Sequence, residues 1–117
     1  MGLRPVVGDV ALPSAARAAG TFVSGPVANA GMAADVLISV HATAASGTPT
    51  LNCSIEESAD GVTSWTAVTG SSTAQLTAAG NAMASCAVSK NFVRVTSVVA
   101  GGTPNMTYRV LMLVVPE

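Results

Sequence analysis

Hydrophobic and polar residues alternate along several segments of this chain. Residues 35–42 read DVLISVHA, residues 51–56 read LNCSIE and residues 92–99 read FVRVTSVV, so that most apolar side chains are two positions apart. This period is typical of a β-strand with one buried face. Residues 106–115 are mostly apolar on both faces, which predicts a strand at the centre of a sheet. Shorter strands are predicted near residues 21–24, 64–68, 73–77 and 84–88.

Turn residues separate these segments. Gly25-Pro26, Gly47-Thr-Pro49, Asp60-Gly61 and the GGTP stretch at residues 101–104 are all expected to interrupt strands. About seven or eight strands spaced roughly 8 to 12 residues apart predict an all-β domain, a single antiparallel β-sandwich of jelly-roll or immunoglobulin-like type. Residues 21–117 are assigned to this domain, and no second-domain boundary is apparent in the sequence.

The first 20 residues lack a clean period. Pro5, Gly8, Pro13 and Gly20 interrupt them, which predicts an extended N-terminal arm that needs a partner surface. Either the chain's own domain or a neighbouring protein would provide that surface. The candidate interface residues combine apolar and basic side chains of this arm: Arg4, Val6, Val7, Val10, Leu12 and Arg17.

Residues 55–68, IEESADGVTSWTAV, predict a hairpin with a turn at Asp60-Gly61, where glycine permits positive φ. Trp65 is expected to face the interior together with Ala67, because a chain with so few aromatic residues needs its largest one in the core. Glu56 and Glu57 should point to opposite faces of the strand, so at most Glu57 and Asp60 could converge at the turn. Two carboxylates are too few for a calcium site without backbone ligands, so a solvated hairpin end is the favoured interpretation.

Composition adds a hint of assembly. Only 9% of the residues are charged, against roughly 25% in an average soluble domain. A weakly charged surface is easily buried against other subunits, although a high-GC genome would also favour Ala, Gly and Val. The net charge of −1 gives no basic field for nucleic acid, and no apolar run predicts a membrane span. Because the N-terminus does not resemble a signal peptide, the two cysteines, Cys53 and Cys86, are predicted to be free, buried thiols.

Candidate catalytic chemistry is sparse. His41 is the single histidine, and it is expected on the polar face of its strand. The sequence contains no nucleophile elbow, zinc-protease motif or phosphate loop. We therefore expect no catalytic residues, no cofactor, no metal site and no enzymatic activity.

Two motifs carry a family resemblance that covers residues 35–115. Ser58, Asp60, Gly61 and Trp65 resemble the S-x-D-G-x-x-W turn of discoidin-like and carbohydrate-binding jelly-roll sandwiches, with one additional residue before the tryptophan. The segment Phe92-Val-Arg-Val95 is similar to the partner strand of those families. The same pairing resembles small proteins of tailed-bacteriophage virions, in particular capsid decoration and head-fibre-base modules.

The resemblance implies a virion structural protein, assembled in the host cytoplasm, that binds the outer surface of a phage capsid and reinforces contacts between its subunits. The implied partner is the major capsid protein, with many copies of this chain per particle or a homo-oligomer. No nucleic-acid or membrane partner is expected. Two alternatives remain open: a tail or head–tail joining protein, and a carbohydrate-binding adhesion module.

Overall fold

Strands make up the regular secondary structure of the computed structural model, which describes residues 7–28 and 33–116. The all-β prediction is confirmed, and these ranges contain no helix long and apolar enough to cross a membrane. The strands are β1 (Val7–Ala18), β2 (Gly20–Val23), β3 (Val27–Ala28), β4 (Ala34–Ser58), β5 (Thr66–Ala67), β6 (Gly80–Val88) and β7 (Phe92–Pro116).

The two 25-residue strands, β4 and β7, pair with each other in antiparallel register along their whole length. A straight strand of that length would extend roughly 80 Å at about 3.3 Å per residue. The longest dimension of the molecule is only 51 Å, so both strands must bend. Two register shifts between Ala42 and Thr48 lie at the middle of β4, where the bend is expected.

The bend divides the sheet into two layers that face each other as a β-sandwich. In the first layer, residues 34–42 of β4 lie between β6 and the second half of β7, and β1 adds to the far side of β7. In the second layer, residues 48–58 of β4 pair with the first half of β7, which is flanked by β2 and β3. β5 pairs with the end of β4.

The core lies between the two layers, on the faces that the alternating pattern predicted. Val36, Ile38 and Val40 of the first layer are fully buried, as are Val93 and Val95 of the second. The remaining buried side chains come from both layers and include Leu51, Cys53, Ile55, Val99, Met106, Tyr108, Val110, Met112 and Val114.

Glycines at the bend allow the two long strands to pass very close to each other. Gly47 has φ of +74°, and a Cβ atom there would lie 2.1 Å from the carbonyl oxygen of Thr103. Gly101 has φ of +113°, and its Cβ would lie 2.0 Å from the carbonyl oxygen of Thr48. The sequence predicted that the stretches containing these two glycines interrupt the strands. Instead, pairing resumes on both sides of each glycine and the strands continue into the second layer.

The predicted N-terminal arm requires a correction. Residues 7–18 are extended, but they form β1 and pair with β7 from Val7↔Val114 to Ala18↔Asn105. β2 begins at Gly20 and also pairs with β7. The expected boundary at residue 20 therefore does not separate an arm from the sandwich. Of the two partner surfaces considered, the chain's own domain is the one used by the described part of the arm.

Candidate interaction surfaces

The predicted interface residues are in different environments. Arg4 and Val6 lie outside the described residues, and Val7 begins β1. Val10 is 50% exposed and remains a candidate for contact with another protein. Leu12 is buried in the core of the sandwich, so its side chain stabilises the domain instead.

Arg17 is also buried, with 9% of its surface exposed. Its guanidinium donates hydrogen bonds to the carbonyl oxygens of Tyr108 and Pro13, both at 2.8 Å, and of Ala15 at 3.3 Å. The same group lies 4.5 Å from the ring centre of Tyr108 and 5.7 Å from that of Phe22. These contacts hold the charge inside the domain, which corrects the prediction that Arg17 faces a partner.

The first layer exposes an apolar outer surface. Val10, Leu111, Ser39 and Met83 lie side by side across four strands, because they are paired from β1 through β7 and β4 to β6. Val10 is 50%, Leu111 37% and Met83 61% exposed. Leu37 and Leu113 form the next pair but one along the same strands, so their side chains lie on the same side of the sheet as this row. Both are half-buried. We call Val10, Leu37, Met83, Leu111 and Leu113 the outer apolar face.

The outer side of the second layer has a different character. Arg94 lies with its guanidinium 4.2 Å from the ring centre of Trp65, and its Nε donates a 2.9 Å hydrogen bond to Glu56. Thr96 donates a hydrogen bond to the same carboxylate oxygen. We call these four residues the Trp65 cluster.

The position of Trp65 contradicts the prediction that it faces the interior. Trp65 is half-buried and lies outside the core cluster, and Ala67 is exposed. Val68, on the opposite side of the segment, packs against the core instead. Because Ala67 is paired with Glu56, whose side chain points away from the core, the Trp65–Ala67 face is the outer one.

The hairpin around Asp60 forms as predicted, with Glu56 and Glu57 paired to β5. The Asp60 carboxylate accepts hydrogen bonds from the backbone amides of Val62 and Thr63 and from the hydroxyls of Thr63 and Ser58. These donors, the Val62 amide foremost, hold the pKa of Asp60 well below its usual range. Asp60 therefore stabilises the hairpin loop through hydrogen bonds to residues of the loop itself.

Glu57 does not join Asp60 at the turn. Its carboxylate accepts hydrogen bonds from the backbone amides of Ser89 and Lys90. Within residues 7–28 and 33–116, no three His, Cys, Asp or Glu side chains come together in a way that could hold a metal ion.

The remaining reactive side chains are engaged within the fold. His41 is half-buried on the outer side of β4, and its Nδ1 is hydrogen-bonded to Asn81. Both cysteines are free, Cys53 buried and Cys86 half-buried. Burial raises the pKa of the Cys53 thiol to about 12 and that of Cys86 to about 11, so both thiols are neutral and poorly nucleophilic at physiological pH.

The outer apolar face was missed by reasoning from the sequence, although a signal was present. Residues 106–115 are mostly apolar on both faces, which predicted a strand at the centre of a sheet, and β7 does lie between β1 and β4. A two-layer sandwich covers only one side, so Leu111 and Leu113 face outward. Leu37 in the polar register of its strand was a second signal of the same kind.

The fold is similar to that of several proteins of known structure. No protein-family model matches the sequence, and no curated protein matches it significantly. The chain is structurally similar to the PBSX exported protein XepA, with a TM-score of 0.71 at 18% identity, covering 95% of this chain and 37% of XepA. A chain of infectious bursal disease virus strain Gx gives a TM-score of 0.63 at 12% identity, covering 96% of this chain and 33% of the viral one.

A subunit from Bacillus endospore appendages, which form disulfide-linked pili, gives a TM-score of 0.52 at 19% identity and covers 98% of this chain and 91% of the subunit. At such identities the similarity establishes the shared β-sandwich fold. The chain spans only about a third of the length of XepA and of the viral chain.

Proposed function

We propose that this chain is a non-enzymatic structural protein of a phage or virus particle, attached in many copies to the outside of the capsid. It contacts the major capsid protein and reinforces the contacts between capsid subunits. The observation that carries the proposal is the outer apolar face, where Val10 and Met83 are at least half exposed. Exposed apolar side chains clustered on one side of a sheet mark a surface that other proteins can cover.

The fold and composition support the same function. XepA is an exported protein of the phage PBSX, and a second similar chain belongs to a virus. A β-sandwich serves many functions, and these similarities support a role in a particle. A chain in which only 9% of residues are charged has little electrostatic cost of burial against a neighbour.

The mechanism of reinforcement is additional buried area. An interface of about 1,600 Å² in total is typical of a stable complex of this kind. The outer apolar face supplies the apolar centre of that interface, and polar residues around it, such as His41 and Arg109 in the adjacent pair of β4 and β7, supply its rim.

Co-sedimentation with empty capsids of the parent particle tests the proposal. We expect the native protein to pellet with capsids, and the double variant Val10→Lys/Leu111→Lys to bind at least about tenfold more weakly, because it places two charges in an apolar contact. Val62→Lys is the matched control, since Val62 is 78% exposed on the hairpin of the other layer. Equal binding by the double variant and the native protein would refute the role of the face. Absence of binding by the native protein would refute capsid attachment.

A carbohydrate-binding adhesion module is the second candidate, and the surface position of Trp65 favours it. One face of its ring is covered by Arg94, so a sugar would have to stack on the other face. A glycan array probed with the native protein and with Trp65→Ala distinguishes the two candidates. We expect no specific glycan signal. Saturable binding that disappears in a folded Trp65→Ala protein would favour adhesion over capsid attachment.

A further inference from the structure

Strand β6 is a long and regular edge strand. Its nine residues pair one by one with β4, from Gly80↔Ala42 to Val88↔Ala34, with no register shift. In the part of the chain that the structure describes, no strand pairs with the other side of β6. An edge of this kind presents a row of backbone donors and acceptors that another strand can pair with.

The opposite edge of the same layer is protected. β1 has two register shifts, between Val10 and Leu12 and between Leu12 and Ala15. It also contains Pro13, which has no amide to donate. Bulges and proline are the features by which natural edge strands avoid pairing with other chains. A partner strand would therefore find no continuous template along β1.

The edges of the second layer are protected as well. On one side, β2 and β3 are only four and two residues long and are separated by Gly25 and Pro26. On the other side, an irregular segment covers β4. There the amide of Thr73 donates to the carbonyl of Cys53, and the hydroxyl of Ser71 accepts from the amide of Ile55. Among the described edges, β6 is thus the long strand that has no bulge, no proline and no covering segment.

We propose that β6 pairs with β6 of a second copy of this chain, antiparallel and about a two-fold axis, so that the first layers of two molecules form one continuous sheet. In such a dimer, residues of β6 near the axis contact residues of β6 in the second molecule. A charged residue there would therefore lie close to its own copy, which has the same charge. Residues 80–88, GNAMASCAV, contain no charge at all. The strand is therefore compatible with its own copy, and the proposal does not depend on attachment to a capsid.

The dimer would also extend the outer apolar face. Met83 lies one residue from Ala84, the centre of β6, and is 61% exposed on the outer side. In the dimer, two copies of Met83 come close to the axis and join the faces of the two molecules. A single apolar surface twice as large results, which explains why the edge strand carries an exposed methionine.

Sedimentation equilibrium of the purified native protein, without capsids, tests the proposal. We expect a concentration-dependent dimer. The variant Met83→Lys/Ser85→Lys places lysines opposite lysines on both sides of Ala84 and should be monomeric at every concentration tested. The variant Met83→Glu/Ser85→Glu should also be monomeric alone. An equimolar mixture of the two variants should restore the dimer, because unlike charges then oppose each other across the axis.

The controls separate this interface from capsid attachment. Val10→Lys/Leu111→Lys changes the outer apolar face away from β6 and should remain dimeric, and circular dichroism should show that each variant is folded. A native protein that stays monomeric, or a lysine variant of β6 that still dimerises, would overturn the proposal. A monomeric native protein whose β6 variants lose capsid binding would instead assign this edge to the capsid protein.

Discussion

Replacing Arg17 by alanine should destabilise the isolated domain strongly. The guanidinium connects the carbonyl oxygens of Pro13 and Tyr108, on adjacent strands, through 2.8 Å hydrogen bonds. It is also within 4.5 Å of the Tyr108 ring centre. If Arg17 were an interface residue, as its sequence context indicated, its removal would leave the isolated domain unaffected.

The magnitude follows from these contacts. Hydrogen bonds from a charged donor contribute about 1.5 to 3 kcal/mol each, and a desolvated cation–π contact contributes up to about 2 kcal/mol. Removing the guanidinium also abolishes the cost of burying a charge, so the net loss is smaller than this sum. Leaving a buried carbonyl oxygen without its side-chain donor costs about 1 to 3 kcal/mol. We expect a loss of about 3 kcal/mol, which corresponds to a melting temperature roughly 12 °C lower for a domain of this size.

Thermal unfolding followed by circular dichroism measures this loss. Arg109→Ala is the matched control, because Arg109 is exposed on the same strand as Tyr108 and its removal should change stability by less than about 0.5 kcal/mol. Arg17→Lys should give an intermediate value, since an ammonium group cannot reach the same carbonyl oxygens and also stack on a ring. An Arg17→Ala protein that melts with the native protein would refute the structural role and return Arg17 to the candidate interface residues.

Two further predictions concern the bend and the buried thiol of Cys53. Gly47→Ala should lose about 2 kcal/mol or more, because its φ is +74° and the new Cβ would lie 2.1 Å from the carbonyl oxygen of Thr103, whereas Gly25→Ala, with nothing within 4 Å, should melt near the native temperature. Urea unfolding from pH 7 to 11 should show stability that is complete below about pH 9 and falls above it. The folded pKa of Cys53, about 12, is above its ordinary value of 9.0, so ionisation favours the unfolded chain as pH rises between these values. Cys53→Ala should reduce this slope, and an unchanged slope would contradict the assignment.

The fold was predictable from sequence where burial is one-sided. Val36, Ile38 and Val40 are two positions apart along the strand, and the structure buries all three. The bend was not predictable, because Gly47 and Gly101 have the same signature in a turn that reverses the chain and in a strand that changes layer. Positive φ is required in both cases, and only the position of the partner strand decides between them.

The surfaces were predictable to a smaller extent. Trp65 was assigned to the core because aromatic residues are scarce. The face on which it lies depends on the register between β4 and β5, and a shift of one residue in that register would move Trp65 to the other face. Alternation in the sequence does not fix this register. Arg17 was assigned to an interface because it lies between alanine pairs in an N-terminal segment without a clean period. Its burial depends on carbonyl oxygens of residues such as Tyr108, 91 positions away in the sequence, which no local pattern contains.

The two proposed interfaces are on the same layer, and this arrangement has a consequence for assembly. The outer apolar face extends across β1, β7, β4 and β6, and the unprotected edge is β6 itself. Pairing through the edge leaves the face open, since the edge bonds lie within the plane of the sheet and the face is perpendicular to it. A dimer would therefore present two copies of the face to one capsid. Once one face of the dimer is bound, binding of the second face to the capsid is intramolecular. The dimer would therefore attach much more tightly than a monomer. If the monomeric Met83→Lys/Ser85→Lys variant bound capsids as tightly as the native protein, this coupling between the two interfaces would be refuted.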